Sequence, residues 1–279
     1  MNRFLQLFRV GNCVMGVVGL LLGALVASGA DILDHWEEVV LASIVVFTFV
    51  AAGNALNDYT DREVDRKAHP DRPLPSGRIE PRRAIQLSAL LFVLSLLFSL
   101  PLDWISFTIV VGAMAIMLLY ESRSKREGLA GNLSISLLTG ALFLLGGSVV
   151  GDIERTAVIA AMAALATLGR EVIKDIEDMD ADFDRRTLPQ RIGAFGAGAL
   201  ASLAFLVAVG LSLQPYMAGD LGLAYLLPVV VADAIFIYCS GVHFRNPRRG
   251  QRTAKLGMLV ALLAFLLGGF QVTLNGGFA

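Results

Sequence analysis

Apolar residues in this chain come in long unbroken runs, unlike the alternation of a half-buried strand or the every-third-or-fourth pattern of a surface helix. From Val10 to Ala30 the only ionisable side chain is Cys13, and from Ile192 to Met217 it is Tyr216. A hydrocarbon layer of roughly 30 Å takes about 20 helical residues to cross, so such runs predict transmembrane helices. Windows of about 19 residues place nine of them, at 10–28, 39–57, 85–101, 104–120, 129–150, 156–173, 192–213, 221–240 and 254–273. Lipid leaves only helices or a closed barrel, and these runs are too long and too evenly apolar for barrel strands. The expected fold is therefore all-α: a polytopic bundle of nine transmembrane helices, one integral-membrane domain over residues 1–279. The first run also exceeds the ~7–15 residues of a secretory h-region, which separates it from a cleaved signal.

Composition agrees. Hydrophobic residues make up 56% and charged residues 17%, against about 25% charged in soluble domains, and mean hydropathy is +0.67. A disordered chain and a disulfide-stapled module are excluded. Cys13 and Cys239 fall within predicted spans, and His35, His69 and His243 lie in separate loops, so neither a disulfide nor a zinc set is expected. No nucleic-acid partner is expected either.

The net charge of −1 conceals its arrangement. Of the 23 lysines and arginines, 22 fall at the N-terminus or in the connections at and after the even-numbered spans, which leaves Arg155 alone on the other side. Basic residues in short loops mark the cytoplasmic face. The N-terminus and these loops are thus expected in the cytoplasm and the C-terminus outside a cell membrane.

The same loops hold most of the acids. If the second span continues as helix past the surface, Asn57, Asp61 and Asp65 share one face at i, i+4 and i+8, and after the sixth span so do Asp178 and Asp182. Like charges so placed destabilise a helix, and cations resolve the repulsion. Mg²⁺ prefers oxygen ligands and is usually held by one or two carboxylates plus substrate phosphates, while guanidinium groups fork onto phosphate oxygens. Two acidic clusters flanked by arginines therefore read as a clamp for metal and diphosphate. The device is repeated: Arg72-Pro73-Leu74-Pro75 follows the first cluster and Arg186-Thr187-Leu188-Pro189 the second, with Arg78-Ile79 and Arg191-Ile192 just beyond. The chain is expected to contain an internal repeat with two equivalent half-sites.

Asn57-x-x-x-Asp61-x-x-x-Asp65, then Arg72-Pro73-Leu74-Pro75-Ser76-Gly77-Arg78, then Asp178-x-x-x-Asp182, on nine spans, resembles the UbiA superfamily of intramembrane prenyltransferases. The resemblance covers essentially the whole chain. Within the superfamily, Gly53-Asn54-Ala55-Leu56-Asn57-Asp58, Arg170-Glu171-Val172-Ile173-Lys174-Asp175-Ile176-Glu177-Asp178 and Arg186-Thr187-Leu188-Pro189 are most similar to the branch of archaeal digeranylgeranylglyceryl phosphate synthases. That resemblance implies Mg²⁺-dependent transfer of a prenyl group from an allylic diphosphate to a lipid-like acceptor, with release of pyrophosphate. In this branch the donor is geranylgeranyl diphosphate, the acceptor is the free hydroxyl of geranylgeranylglyceryl phosphate, and the product carries the second ether bond of archaeal lipid. An aromatic or quinone precursor is the alternative acceptor. A transporter would distribute acids through its spans, whereas Asp233 alone lies deep inside one, with Glu171 at the very end of the sixth, and the Asp-Gly-x-x-Ala-Arg signature of CDP-alcohol phosphotransferases is absent.

By matching motif positions, the resemblance implies Asn57, Asp61, Asp65, Asp178 and Asp182 as metal ligands, with Asp180 and Asp184 competing for the register of the second motif. It makes Arg9, Asn12, Arg66, Arg72, Arg78, Lys125, Lys174 and Arg186 candidate phosphate contacts, and Tyr120 with Lys125 resembles the family's pair beside the departing diphosphate. Asp58, Glu171 and Asp175 stay open as a general base. Gly112, Gly140, Gly146 and Gly147 are expected to serve close helix packing rather than to line a tunnel for an isoprenoid tail.

Overall fold

The computed structural model of the protein describes residues 2–179 and 186–274. A short helix α1 (Arg3–Phe8) leads into α2 (Val10–Ser28) and a 3-10 turn (Gly29–Leu33). The chain continues through α3 (Trp36–Thr60), α4 (Arg62–Ala68), α5 (Pro81–Ser99), α6 (Trp104–Ser122), α7 (Leu129–Val149) and α8 (Ile153–Glu177). After the undescribed 180–185 come α9 (Leu188–Ser212), α10 (Gln214–Met217), α11 (Leu223–Val242) and α12 (Pro247–Leu274). Among the described residues nine helices are long and apolar enough to cross a membrane, and they coincide with the nine expected spans.

The ends differ where polarity hides helix from a hydropathy window. Helices α3 and α8 run on to Thr60 and Glu177, so Asn57 lies in the last turn of α3 and Asp61 and Asp178 immediately follow the two helices. Helix α12 starts at Pro247, because its first turns carry exposed Arg248, Arg249 and Arg252. Sequence sets the starts locally. The Asp103 carboxylate accepts from the Ile105 and Ser106 amides (2.8 and 3.1 Å) to cap α6. Prolines 81 and 189 occupy first-turn positions of α5 and α9, where the missing amide hydrogen is unused anyway.

Close backbone approach holds the middle of the bundle. A Cβ on Gly146 would lie 2.2 Å from the Leu20 carbonyl oxygen, and one on Gly23 would lie 2.5 Å from that of Phe143, so α2 and α7 touch backbone to backbone. Gly140 likewise faces the Ala160 carbonyl and Gly147 the Thr156 side chain, which joins α7 to α8. Three of the four glycines singled out in the sequence therefore serve packing, and Gly112 stands in open space. The glycines that do line the internal cavity are Gly16, Gly19 and Gly53.

The internal repeat is visible in three dimensions. The pairs α2–α3 and α7–α8 each pack together, each begins with a Gly-Asn step (Gly11-Asn12 and Gly131-Asn132), and each ends in an acidic motif. Beyond the motif, Leu74 and Leu188 are both buried, at 6% exposure, beneath their Pro- and Arg-containing loops.

Candidate active site

A cavity of about 730 Å³ inside the bundle is lined near the ends of α3 and α8 by Asn57, Glu171 and Lys174, while Asp61, Asp65 and Asp178 lie outside its wall. Its polar end is lined by Arg9, Asn12, Asn57, Tyr120, Arg170 and Lys174, together with Asn54, Glu121 and Glu171. From there its walls step down the helices turn by turn: Asn12, Gly16 and Gly19 on α2, and Lys174, Arg170, Ala166 and Met162 on α8. At 1.5 Å per residue the α8 wall is about 18 Å long. Below the polar end the lining is apolar, with Phe49, Leu138 and Leu142 on one side and Phe236, Leu262 and Phe265 on the other.

The first motif does not continue as one uninterrupted helix. Asp61 leaves helical geometry (φ −89°, ψ 1°), ending α3 and starting α4. The spacing survives this break because the i to i−4 bonds pass through it: the Asp61 amide donates to the Asn57 carbonyl (2.9 Å) and the Asp65 amide to the Asp61 carbonyl (2.8 Å). Asn57, Asp61 and Asp65 therefore remain one turn apart, as expected.

Each carboxylate of this half is matched to a cation. Arg9 Nη2 donates to Asp58 Oδ1 at 2.5 Å, Lys125 Nζ to Asp61 Oδ2 at 2.6 Å, and Arg72 Nη1 to Asp65 Oδ2 at 2.5 Å. The Asp58 side chain is only 3% exposed and that of Arg9 32%. Arg9 is also the one non-glycine residue with positive φ (48°) among those described, a conformation costing of order 1 kcal/mol that persists where the surroundings over-determine it. Those surroundings are visible: the Asn54 side-chain amide donates to the Phe8 carbonyl (2.9 Å), and the Cys13 thiol contacts the same oxygen (3.3 Å), tying the α1–α2 hinge to α3.

Glu121, which sequence reasoning passed over, organises this corner. Its Oε1 accepts from Asn57 Nδ2 (2.9 Å), and its Oε2 accepts from Thr60 Oγ1 (2.6 Å) and Lys125 Nζ (3.3 Å). The Glu121 side chain is 3% exposed and that of Lys125 8%. The Lys125 ammonium also lies 5.9 Å from the centre of the Tyr120 ring. The signal in the sequence was the i, i+4 spacing of Glu121 and Lys125.

The second half is built differently. Asp178 ends α8, its amide donating to the Lys174 carbonyl (2.9 Å), and among the described residues no hydrogen bond or ion pair reaches its half-buried carboxylate. Asp175 accepts from the Asn132 side-chain amide at 2.8 Å. Arg170 and Glu171 contact each other and both line the cavity, one turn above Lys174. Asp182, with Asp180 and Asp184, lies outside the described residues.

Of the eight candidate phosphate contacts, Arg9, Asn12 and Lys174 line the cavity, and Arg66, Arg72, Arg78, Lys125 and Arg186 stand apart from its wall. Arg66 is exposed and pairs with Glu63 at 3.1 Å. Arg78 spends its donors on its own loop, contacting the Asp71 carbonyl and Ser76 Oγ (3.0 Å). Arg186 is exposed just before α9. Arg72 reaches the site through Asp65 rather than through the cavity itself. Among the described residues no three His, Cys, Asp or Glu side chains converge tightly enough to hold a metal alone.

Comparison with known proteins gives a consistent picture. A digeranylgeranylglyceryl phosphate synthase of Methanosarcina mazei is 38% identical over 284 residues, covering 96% of this chain and 98% of that protein. One from Methanothermobacter thermautotrophicus is 35% identical, with 98% of each chain covered. A solved structure of digeranylgeranylglyceryl phosphate synthase superposes with a TM-score of 0.85 at 33% identity, covering 96% of this chain and 98% of that one. A UbiA homolog from Archaeoglobus fulgidus bound to DMAPP and Mg²⁺ shares the fold at a TM-score of 0.72 and 18% identity, covering 98% and 99%. The family model for UbiA prenyltransferases matches residues 16–269, and with full-length relatives at this identity the chain belongs to the UbiA prenyltransferase family.

Proposed function

We propose that the protein transfers a geranylgeranyl group from geranylgeranyl diphosphate to the free hydroxyl of geranylgeranylglyceryl phosphate. The bond between the prenyl C1 and the diphosphate oxygen breaks, a C1–O ether bond forms, and pyrophosphate leaves. The observation that carries this reading is the continuity of one cavity from a charged end lined by Arg9, Asn57, Arg170, Glu171 and Lys174 to a long apolar slot. That shape suits a ligand with a diphosphate head and an isoprenoid tail. The full-length similarity to digeranylgeranylglyceryl phosphate synthases supports the acceptor.

The donor set fits Mg²⁺. Its oxygens are hard, and among the described residues fewer than three carboxylates converge, which suits a cation held by one or two carboxylates and substrate phosphates. Asn57, Asp61, Asp65 and Asp178 would hold it, with Asp182 from the undescribed segment. When bound it supplies Lewis-acid neutralisation of the charge that builds on the leaving diphosphate.

The chain's own residues account for the rest. Arg9, Arg170 and Lys174 line the polar end and place fixed positive charge where the diphosphate oxygens become more negative. Lys125, bonded to Glu121 and Asp61 and 5.9 Å from the centre of the Tyr120 ring, would hold fixed positive charge at the first motif for the departing diphosphate. All three candidate bases have a partner, Asp58 in Arg9, Asp175 in Asn132 and Glu171 in Arg170, and Glu171 is the one that lines the cavity. On that ground we assign Glu171 as the base that takes the acceptor's hydroxyl proton. The apolar slot keeps water from the activated allylic carbon. With 22 of 23 basic residues on the motif side, this chemistry faces the cytoplasm.

The test is turnover by membranes carrying the protein, supplied with geranylgeranyl diphosphate, Mg²⁺ and either geranylgeranylglyceryl phosphate or 4-hydroxybenzoate. Ether product with pyrophosphate release is expected. Product from the aromatic acid alone would overturn the acceptor, and ion movement without pyrophosphate release would overturn the enzyme.

A further inference from the structure

The last turn of α6 meets the last turn of α3 through Glu121, a buried side chain whose two oxygens divide their work. Oε2 accepts from Thr60 Oγ1 (2.6 Å) and from the Lys125 ammonium (3.3 Å), whereas Oε1 accepts from Asn57 Nδ2 (2.9 Å). Asn57 and Glu121 both line the polar end of the cavity. A side-chain amide has two ends of nearly the same shape and opposite chemistry: the oxygen accepts and the NH₂ group only donates, so the partner decides which way it turns. A carboxylate accepts and cannot donate. Asn57 can therefore bond Glu121 only through its nitrogen, which points its Oδ1 away from Glu121, and among the described residues no donor reaches that oxygen.

We infer that Glu121 is a positioning residue, which locks the Asn57 amide with its oxygen available to a divalent cation. The inference rests on the first motif being part of the metal and diphosphate site proposed above. Mg²⁺ takes oxygen ligands, and the nitrogen end of an amide offers a cation only its hydrogens. A flipped Asn57 is thus lost as a ligand. Glutamine at position 121 would cause that flip: Thr60 and Lys125 both donate at Oε2, so the new carbonyl stays there and the new NH₂ group faces Asn57, whose amide must turn over to accept. The size and the hydrogen bond survive while the direction of the bond reverses. A partner that holds the outer side of a metal ligand is typically worth 10–100-fold in metal affinity.

The test is binding of Mn²⁺, which shares the oxygen preference of Mg²⁺, to the purified protein in detergent with inorganic pyrophosphate present, read from the free-ion EPR signal alongside thermal unfolding. Glu121→Gln should weaken Mn²⁺ binding by about 10–100-fold. In an Asn57→Asp background the same substitution should cost nothing, because an aspartate presents an oxygen whichever way it turns and accepts equally well from the new amide. The two changes together also keep the charge count. If Glu121→Gln alone does not fold, the comparison of Asn57→Asp with the double variant carries the test. A loss that persists in the Asn57→Asp background would come from the missing carboxylate charge and would overturn the inference. So would Glu121→Gln that unfolds earlier yet binds Mn²⁺ as the wild type does, since that is the signature of a mere tie between α3 and α6. Wild-type protein that takes up no Mn²⁺ with pyrophosphate overturns the metal and diphosphate site itself, and the inference with it.

Discussion

The two acidic helix ends descend from one pattern but solve the problem of buried charge in different ways. At the end of α3 every carboxylate has a cation: Asp58 with Arg9, Asp61 with Lys125, Asp65 with Arg72. At the end of α8 Asp175 accepts from the neutral Asn132 amide, Glu171 contacts Arg170, and no cation reaches Asp178 among the described residues. The entry steps of the two repeats show the divergence directly. Asn132 of Gly131-Asn132 turns to the acid of its own half, while Asn12 of Gly11-Asn12 lines the cavity and its neighbour Arg9 takes the acid instead. The first half is thus a charge-balanced frame that keeps its shape without ligand, and the second keeps a carboxylate available for an incoming cation.

The largest expected effect tests whether both halves act in one reaction. Asp61→Ala and Asp178→Ala should each reduce turnover by at least about 10²–10³-fold, the scale for losing a group that stabilises developing charge. The folded protein should remain in the membrane in both cases. Their stabilities should separate them, since Asp61→Ala leaves Lys125 facing Glu121 alone whereas Asp178→Ala removes no internal contact. Near-normal activity in Asp178→Ala would break the comparison by removing the second half from the site.

A smaller effect concerns the frame itself. Arg9→Met strands Asp58, which is 3% exposed, and should cost about 2–3 kcal/mol, below the ~3–5 kcal/mol of a fully buried pair because Arg9 is about one-third exposed. Asn132→Ala removes the neutral amide's hydrogen bond to Asp175 and should cost about 1–2 kcal/mol. Thermal unfolding in detergent micelles compares the two directly. Equal losses would mean that the ion pairs of the first half add nothing beyond hydrogen bonding.

Much of this was legible in the residue string because lipid imposes simple rules. Twenty-residue apolar runs have one solution, so the spans emerged within a few residues. The one-turn spacing of Asn57, Asp61 and Asp65 was legible too, and backbone bonds preserve it even through the break at Asp61. Partners brought together from distant helices were hidden. Nothing local reveals that Glu121 will bridge Asn57 and Lys125, that Arg9 will adopt a left-handed hinge to reach Asp58, or that Arg170 will line the cavity while Arg66 and Arg78 stay in the loop. Arginines of identical local context separate only when the bundle closes, because which face of each loop turns inward is a tertiary property. The register of the second motif falls on Asp180, Asp182 and Asp184, outside the described residues.

The smallest expected effect lies at the corner where α11 turns into α12. In the first repeat the turn after α6 is held by charges, Lys125 with Glu121 and Asp61. In the second it is held by His243, 1% exposed, whose Nε2 lies 2.9 Å from Ser202 Oγ and whose ring packs on Phe244 at 4.2 Å. Ser202 donates onward to the Ser240 carbonyl. Burial pushes the His243 imidazole below the ordinary value of 6.5, since the charged form loses its water and no carboxylate compensates. Above 6.5 the folded and unfolded chains both carry the neutral ring and its contribution is fully present. As pH falls below that value the unfolded chain takes up a proton that the folded one refuses, so stability declines, by at most about 1.4 kcal/mol per pH unit for one such group. Thermal unfolding across this acid window should show the decline in the wild type, and His243→Gln, which keeps a hydrogen-bonding end group without titrating, should flatten it at the expense of some packing against Phe244. An unchanged slope in His243→Gln would place the acid sensitivity among the ion pairs of the first half instead, and the charge-balanced frame would then be the weaker of the two at low pH.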